Sequence, residues 1–153
     1  MGVTQGVEQP SPAGDGHPVV TAWRMITASH AAAFAALERE LGDRHGLGVS
    51  EFEVLERLAE HPAHKYRAQE LAAAVNLSQS AMSRLIDRLA RHGLVERCLC
   101  DMDRRGIFVT ITEAGQQRHA EAAPTHREVL NQVLPAELLE PLCACSPAAS
   151  PPG

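Results

Sequence analysis

The feature that most restricts the fold of this chain is a short amphipathic helix that leads directly into a pair of strands. Residues 79–92 carry apolar side chains at the three- and four-residue spacing of one helical face, namely Met82, Leu85, Ile86 and Leu89. Ser78 is placed to cap the first turn, and Gly93 is placed to end the helix in a left-handed conformation. Two strands are predicted next, over 94–99 and 107–111. The hairpin that they form has to lie beside the helix.

A second helix is predicted before this one, over about 68–75, and the three residues 76–78 form the turn between them. Two helices joined so closely, the second with a polar outer side, are typical of a helix-turn-helix. That outer side is basic and has small residues near its N-terminus: Gln79, Ser80, Ser83, Arg84, Asp87, Arg88 and Arg91. An ordinary solvated helix face is the alternative. Together with the hairpin, the pattern predicts a winged helix.

A long helix is predicted near the start of the chain, over about 18–42. Its apolar face consists of Trp23, Ile26, His30, Phe34, Leu37 and Leu41. Its length of roughly 25 residues exceeds that of most globular helices, so we expect it to pack against more than its own domain. Ser50 and Glu53 fit a capping box for the next helix, which is predicted to end at His61-Pro62.

Two more helices are predicted after the hairpin. Thr112 is expected to cap the first, which runs to about residue 134 and which Pro124 should kink or split. The second is short, over 135–145. The two ends of the chain, 1–17 and 146–153, are rich in Gly, Pro and Ser and are predicted to be disordered tails.

The charge of the chain is unevenly distributed. The net charge is −5, yet residues 62–106 hold eight Lys or Arg and five Asp or Glu, a net +3. The remainder holds six basic and fourteen acidic residues, a net −8. A basic middle on an acidic frame indicates a local site for a polyanion, although uneven charge also arises by chance.

The tip of the predicted hairpin concentrates this charge. Asp101, Asp103, Arg104 and Arg105 precede Gly106 in the stretch CDMDRRG. A turn needs polar residues and a glycine, but it does not need two adjacent guanidinium groups. Beside a recognition helix, such arginines are suited to the narrow minor groove of DNA, where the negative potential is enhanced. The alternative is a solvated tip in which the arginines pair with their neighbouring acids.

Other classes of protein receive little support. No apolar run is long enough to span a membrane and the N-terminus does not resemble a secretion signal, so we expect a cytoplasmic protein. The sequence has no Gly-rich phosphate loop, no nucleophile elbow and no His-Glu-x-x-His, so we expect no enzymatic activity. A winged helix that serves only protein–protein contact remains a second alternative.

The segments QELAAAVNLSQSAMSRLIDRLARHGLVER and DMDRRGIFVTITEAG resemble the MarR family of bacterial regulators, and the resemblance extends over about 19–142. It implies a mainly α fold with a small β-hairpin, in a domain that spans residues 18–145. Within this domain, a winged helix-turn-helix over about 50–112 is flanked by two dimerisation segments. These are helices over about 18–45 and about 113–145. It also implies a homodimer on a pseudo-palindromic operator in double-stranded DNA, usually acting as a ligand-responsive repressor.

The resemblance assigns DNA contacts to particular residues. Gln79, Ser80, Ser83 and Arg84 correspond to contacts at or near base edges, and Arg88 suits a phosphate. In the wing, the resemblance matches Asp103 to the acid that orients it and Arg105 to the arginine at its tip, with Arg104 as a second phosphate or groove contact. The last helix is shorter than the family pattern implies, so we expect a reduced dimer interface.

The sequence also offers candidates for an effector site. Trp23, Arg24, His30, Tyr66 and His126 are the candidates for a pocket between the dimerisation helices and the winged helix. An aromatic wall with a few polar groups suits a phenolic or other small aromatic acid. The alternative for the histidines and the tryptophan is core packing.

The cysteines offer a different kind of regulation. Cys98/Cys100 and Cys143/Cys145 form two Cys-x-Cys pairs, which lie outside the family pattern. We expect them to be incidental small residues, and a redox- or metal-responsive regulator that uses these thiols is the alternative. His61 and His64 do not have the spacing of helical metal ligands, so no metal site or cofactor is predicted.

Overall fold

The computed structural model describes residues 17–100 and 103–138, with residues 99, 100 and 103–105 described by their backbone only. The elements in chain order are α1 Pro18–His45, α2 Val49–Glu60, β1 Lys65–Arg67, α3 Ala68–Ala74, α4 Gln79–Arg91, β2 Val95–Cys100, β3 Asp103–Ile111 and α5 Glu113–Val133. The predicted tails lie almost entirely outside the described residues. None of the helices in the described part has the length and apolar character that a membrane span requires.

The helix-turn-helix is formed by α3 and α4, as predicted. The apolar stripe of α4 is buried, and the Ser78 hydroxyl accepts a hydrogen bond of 3.2 Å from the Ala81 N–H at its first turn. Gly93 ends the helix with a φ of 71°. The turn before α4 contains Asn76 at a φ of 55°, a left-handed conformation that asparagine adopts more readily than most residues. These local signals explain why the chain reverses where it does.

The sheet has three antiparallel strands in the order β1-β3-β2, one more than predicted. Strand β1 pairs with β3 from Lys65 opposite Thr110 to Arg67 opposite Phe108. Three residues are too few to show alternation in a sequence, so the strand was missed. The expectation that 100–106 form only the loop of the hairpin was also wrong. Strand β3 begins at Asp103, because Cys100 pairs with Asp103 after an irregularity at the end of β2.

Helix α2 begins earlier than the predicted capping box. Its first residue is Val49, and the Gly48 N–H donates a hydrogen bond of 2.9 Å to Glu51 Oε2. The prediction of Ser50 and Glu53 as the box was therefore wrong, because Glu51 accepts the Gly48 N–H and the helix starts before Ser50. Glu38 from α1 accepts a further hydrogen bond, 2.8 Å, from the Val49 N–H. The start of α2 is therefore anchored to α1.

Helix α5 is continuous from Glu113 to Val133 and does not split at Pro124. Pro124 and Ala120 are both exposed. Proline has no N–H to donate to the Ala120 carbonyl oxygen. Because Ala120 is exposed, water can bond to this oxygen instead, which limits the loss of stability that Pro124 causes. The predicted cap is confirmed, since Thr112 Oγ1 accepts a hydrogen bond of 3.0 Å from the Gly115 N–H. Residues 136–138 are helical, and the rest of the predicted last helix lies outside the described residues.

The hydrophobic core lies between α2, α3, α4, the sheet and the packed parts of α1 and α5. Only the C-terminal half of α1 contributes, through Leu37 and Leu41. The N-terminal half carries large apolar side chains that remain exposed, including Trp23 and Ile26. The fold class is thus a mainly α winged helix with a small sheet, and α1 and α5 pack along one flank.

Candidate nucleic-acid interface

The outer face of α4 is open to solvent along its whole length. Its opposite face is held in the core by Met82, Leu85, Ile86 and Leu89. All seven residues predicted to face outward are exposed: Gln79, Ser80, Ser83, Arg84, Asp87, Arg88 and Arg91. The short side chains stand at the N-terminal end and the arginines follow, so that the helix backbone can approach a groove closely at its start.

Arg88 is attached to the start of α2. Its Nε donates a 2.7 Å hydrogen bond to Glu51 Oε1, while Glu51 Oε2 accepts the Gly48 N–H. The Glu51 side chain is 14% exposed and the Arg88 side chain 50% exposed. The remaining guanidinium nitrogens of Arg88 are therefore available at the surface, although the side chain is held in place from behind.

Arg97 was not predicted as a site residue, but it contacts the exposed face of α4 from strand β2. Its Nη2 lies 3.0 Å from the Ser83 carbonyl oxygen, 3.4 Å from Ser83 Oγ and 2.8 Å from Asp87 Oδ1. The sequence places Arg97 next to a glutamate on a strand and contains no signal for these partners. They become visible only when the hairpin is folded against the helix.

The hairpin lies beside α4, as the winged-helix prediction requires. A cleft of about 240 Å³ lies between α4, the start of α3 and the side of the hairpin. Ser83 lines it on one side, and Arg97 and Ile107 line it on the other. The backbones of Asp103, Arg104 and Arg105 belong to β3, whereas their side chains lie outside the described part of the chain.

Strand β1 adds positive charge to the same sheet. Lys65 Nζ lies 4.4 Å from the centre of the Phe108 ring, and the Arg67 guanidinium carbon lies 5.1 Å from it. The aromatic face attracts both cations and orients them. These two residues were counted in the basic segment of the sequence, but nothing in the sequence placed them next to the hairpin.

A second cavity, about 750 Å³ in volume, lies between α1, α2 and α5. His30, Phe34 and His126 line it, together with Glu53. Two of the five predicted effector residues, His30 and His126, are thus brought together.

The other three effector candidates are not among the residues that line this cavity. Trp23 is 64% exposed, and Arg24 is also exposed on α1. Tyr66 lies on β1, where its ring packs edge-on against His61 at 4.7 Å.

His126 also has a packing role. Its ring stacks on Phe52 with 4.4 Å between centroids, and its Nε2 lies 3.7 Å from Glu53 Oε1. His119 stacks on Phe52 at 5.4 Å, with its Nε2 3.9 Å from Glu56. Phe52 therefore contacts imidazole rings from two turns of α5, and the core-packing alternative describes part of what His126 does.

The thiol and metal alternatives receive no new support. Cys98 is half-buried and its Sγ lies 3.7 Å from Thr110 Oγ1. The side chains of Cys100, Cys143 and Cys145 lie outside the described residues. Within the part that is described, no group of three His, Cys, Asp or Glu side chains is arranged to hold a metal ion.

The sequence is similar to a protein-family profile and to known transcriptional repressors. A sequence profile of the MarR family matches residues 45–106. The HTH-type transcriptional repressor YetL of Bacillus subtilis is 30% identical over 89 residues, which are 58% of this chain and 53% of YetL. The transcriptional repressor MprA of Escherichia coli is 30% identical over 88 residues, 58% of this chain and 50% of MprA. The chain spans about half the length of these relatives.

Solved structures extend the similarity over most of the chain. Sco3205, a MarR family transcriptional regulator from Streptomyces coelicolor solved in complex with DNA, has a TM-score of 0.72 at 28% identity, over 81% of this chain and 80% of Sco3205. AbsC, another MarR family regulator from Streptomyces coelicolor, has a TM-score of 0.69 at 31% identity, over 83% of this chain and 88% of AbsC. Both the fold and the sequence therefore agree with the earlier resemblance, and the chain belongs to the MarR family, whose members are transcriptional regulators and not enzymes.

Proposed function

We propose that this chain is a sequence-specific regulator of transcription that binds double-stranded DNA in the cytoplasm as a homodimeric repressor. The observation that carries the proposal is the exposed face of α4, where polar and basic side chains stand free of the core beside the hairpin. Gln79, Ser80, Ser83 and Arg84 are suited to base edges in a major groove. Arg88 and the arginines of β3 are suited to phosphates and to a flanking minor groove.

The proposed dimer follows from the exposed side of α1. Val19, Trp23 and Ile26 are exposed, and Leu138 lies beyond α5 with 38% of its surface exposed. Apolar side chains in such numbers on one flank favour an interface, and a second copy of the chain would cover them. A twofold dimer places two recognition helices about one DNA turn apart, which matches a pseudo-palindromic operator.

The proposed effector is a phenolic or other small aromatic acid in the cavity between α1, α2 and α5. His30 and His126 supply polar groups, and Phe34 supplies an aromatic wall. The cavity lies where the dimerisation helices meet the winged helix. A ligand that binds the DNA-free arrangement more tightly would therefore lower the affinity for the operator by that difference alone.

Binding to DNA from upstream of the chain's own gene, measured by mobility shift over a series of salt concentrations, tests the DNA-binding proposal. Arg105→Ala should weaken binding to most sequences and reduce the slope of log K against log salt by about one unit. Arg39→Ala removes an exposed arginine of α1 that pairs with Glu40 and serves as the control. An Arg105→Ala protein with an unaltered salt dependence would contradict the role given to the wing.

Calorimetric titration with phenolic acids such as 4-hydroxybenzoate tests the effector. His30→Ala should weaken the binding of any acid that releases the operator, whereas His17→Ala, an exposed histidine that does not line the cavity, should leave it unchanged. Absence of heat and of operator release across a varied set of acids would remove the effector from the proposal while leaving DNA binding intact.

A further inference from the structure

The recognition helix and the hairpin have to hold a defined separation if one is to enter a major groove and the other the flanking minor groove. The cleft of about 240 Å³ between them shows that apolar packing does not fill this gap completely. Because helix and hairpin contact different grooves, a small change in their spacing would misplace one of them. Polar contacts across the cleft are therefore candidates for the device that maintains the spacing.

We propose that Arg97 is a positioning residue for DNA recognition, which holds the hairpin at its working distance from α4. The inference rests on the proposed function. Arg97 extends from β2 and reaches one turn of α4 through the Ser83 carbonyl oxygen, the Ser83 hydroxyl and the Asp87 carboxylate. All three partners of its Nη2 belong to α4, so the role that we assign to it is exerted through the protein.

The chemistry of the contact suits arginine in particular. A guanidinium is planar, and its Nη2 carries two N–H donors in fixed directions, so that this one nitrogen can serve Ser83 and Asp87, four residues apart on the helix. Lysine would supply the charge on a flexible stem without this geometry. The arginine side chain is 34% exposed and Asp87 is 56% exposed, so the pair lies at the surface next to the cleft.

Asp87 gives the contact a second consequence. Asp87 lies on the exposed face of α4, which contacts DNA in the proposed function. An unpaired carboxylate on this face would repel the phosphates of DNA. Its 2.8 Å ion pair with Arg97 offsets this charge. Arg97 therefore has two separable effects, one on the position of the hairpin and one on the charge of the recognition surface.

Four variants separate these effects: Arg97→Gln, Arg97→Lys, Asp87→Asn and the double variant Arg97→Gln/Asp87→Asn. Arg97→Gln should weaken binding to the operator and to random DNA. In the double variant the affinity for random DNA should recover, whereas the affinity for the operator should stay about tenfold below wild type, comparable to one mismatched contact. Arg97→Lys should retain the affinity for random DNA but not that for the operator. Arg39→Gln, on α1, is the matched control.

Three outcomes would overturn the inference. Recovery of full operator affinity in the double variant would mean that Arg97 only masks the charge of Asp87. A salt slope lowered by about one unit in the double variant would mean that Arg97 contacts a phosphate directly. Unchanged operator binding in Arg97→Gln would mean that Arg97 has no role in DNA recognition. Failure of the wild-type chain to bind any operator would refute the proposed function instead.

A measurement without DNA tests the positioning role of Arg97 separately from the proposed DNA binding. In hydrogen exchange of the free protein, the peptides over 95–111 should exchange faster in Arg97→Gln than in wild type, because the hairpin has lost its contact with α4. Peptides from α2 should exchange at the same rate in both proteins. Equal exchange over 95–111 would count against Arg97 as a positioning residue whatever the protein does with DNA.

Discussion

Phe52 joins α2 to α5 by aromatic packing. It is fully buried, and the rings of His119 and His126 stack against it from two turns of the outer helix. Such stacked pairs contribute beyond the area that they bury, because the edge and face of each ring carry opposite partial charge. The glutamates Glu53 and Glu56, which follow on α2, approach the same imidazoles. One aromatic side chain of α2 therefore packs against two imidazole rings of α5.

Replacement of Phe52 tests this role. Phe52→Ala should lower the free energy of unfolding by about 3–5 kcal/mol, since the change removes a buried ring and leaves a cavity. Phe108→Ala, which removes a half-buried ring from the sheet, should cost clearly less. Both values come from urea denaturation at equal protein concentration, because dimerisation would make stability depend on concentration. Equal losses in the two variants would contradict the central place of Phe52.

Gly115 is required by a close approach of two backbones. A Cβ at this position would overlap the Leu94 carbonyl and come within 2.8 Å of Ile111 Cγ1. Neither neighbour can move easily, since Leu94 and Ile111 both belong to the core.

Gly115→Ala should therefore destabilise the protein by about 1–3 kcal/mol through overpacking. Gly42→Ala is the matched control, because a Cβ there meets nothing within 4 Å and Gly42 lies inside α1. In that helical setting alanine is favoured over glycine by up to about 1 kcal/mol, so the control should gain stability. Thermal denaturation of the two variants should move the Tm in opposite directions, and a shift in the same direction would contradict this account.

At the scale of elements, Thr112 connects the end of α4 to the beginning of α5. Its Oγ1 donates a 2.6 Å hydrogen bond to the Gly93 carbonyl oxygen and accepts one from the Gly115 N–H. The Thr112 N–H also donates to the Leu94 carbonyl oxygen at 3.1 Å. The ends of β3 and α4 and the start of α5 therefore meet at one hydroxyl.

Thr112→Ala should cost about 1 kcal/mol, the usual loss for removal of a helix cap. Thr112→Ser retains the hydroxyl and should recover most of the stability. Denaturation by guanidinium, followed by circular dichroism, measures both. If Thr112→Ser were as unstable as Thr112→Ala, the methyl group and not the hydrogen bonds would be responsible.

At the scale of the whole molecule, the chain presents two unlike surfaces. One carries α4 and the sheet with their basic side chains, and the other carries the apolar N-terminal half of α1. Trp23 and Ile26, at 64% and 52% exposure, lie within the same helical stripe as the buried Leu37 and Leu41. The stripe therefore continues beyond the core of a single chain, as expected of a helix that packs against a second copy.

Ile26→Glu should shift the protein from dimer to monomer and should abolish tight operator binding, because a charge would be buried in the proposed interface. Ala28→Glu introduces the same charge on another side of α1 and should leave the dimer intact. Light scattering after size-exclusion chromatography measures the mass of each variant. A dimeric Ile26→Glu protein would place the interface elsewhere.

The sequence alone determined those features of this protein that residues close together in the chain specify, such as helix faces, helix caps and turns. The apolar stripe of α4, the cap at Ser78 and the left-handed Gly93 are each encoded within a few positions. Such signals act in the unfolded chain as well as in the folded one. They were enough to predict the winged helix, and the same segments carried the resemblance to the family.

Only the tertiary structure decided which distant side chains meet. Arg97 contacts Ser83 across 14 positions, Arg88 contacts Glu51 across 37, and His45 contacts Thr125 across 80. Strand β1 exists because β3 is available to pair with it, and Tyr66 was thereby placed on the sheet and away from the predicted effector pocket. These contacts depend on how the elements pack, and local spacing contains no information about packing between elements that are far apart in the chain.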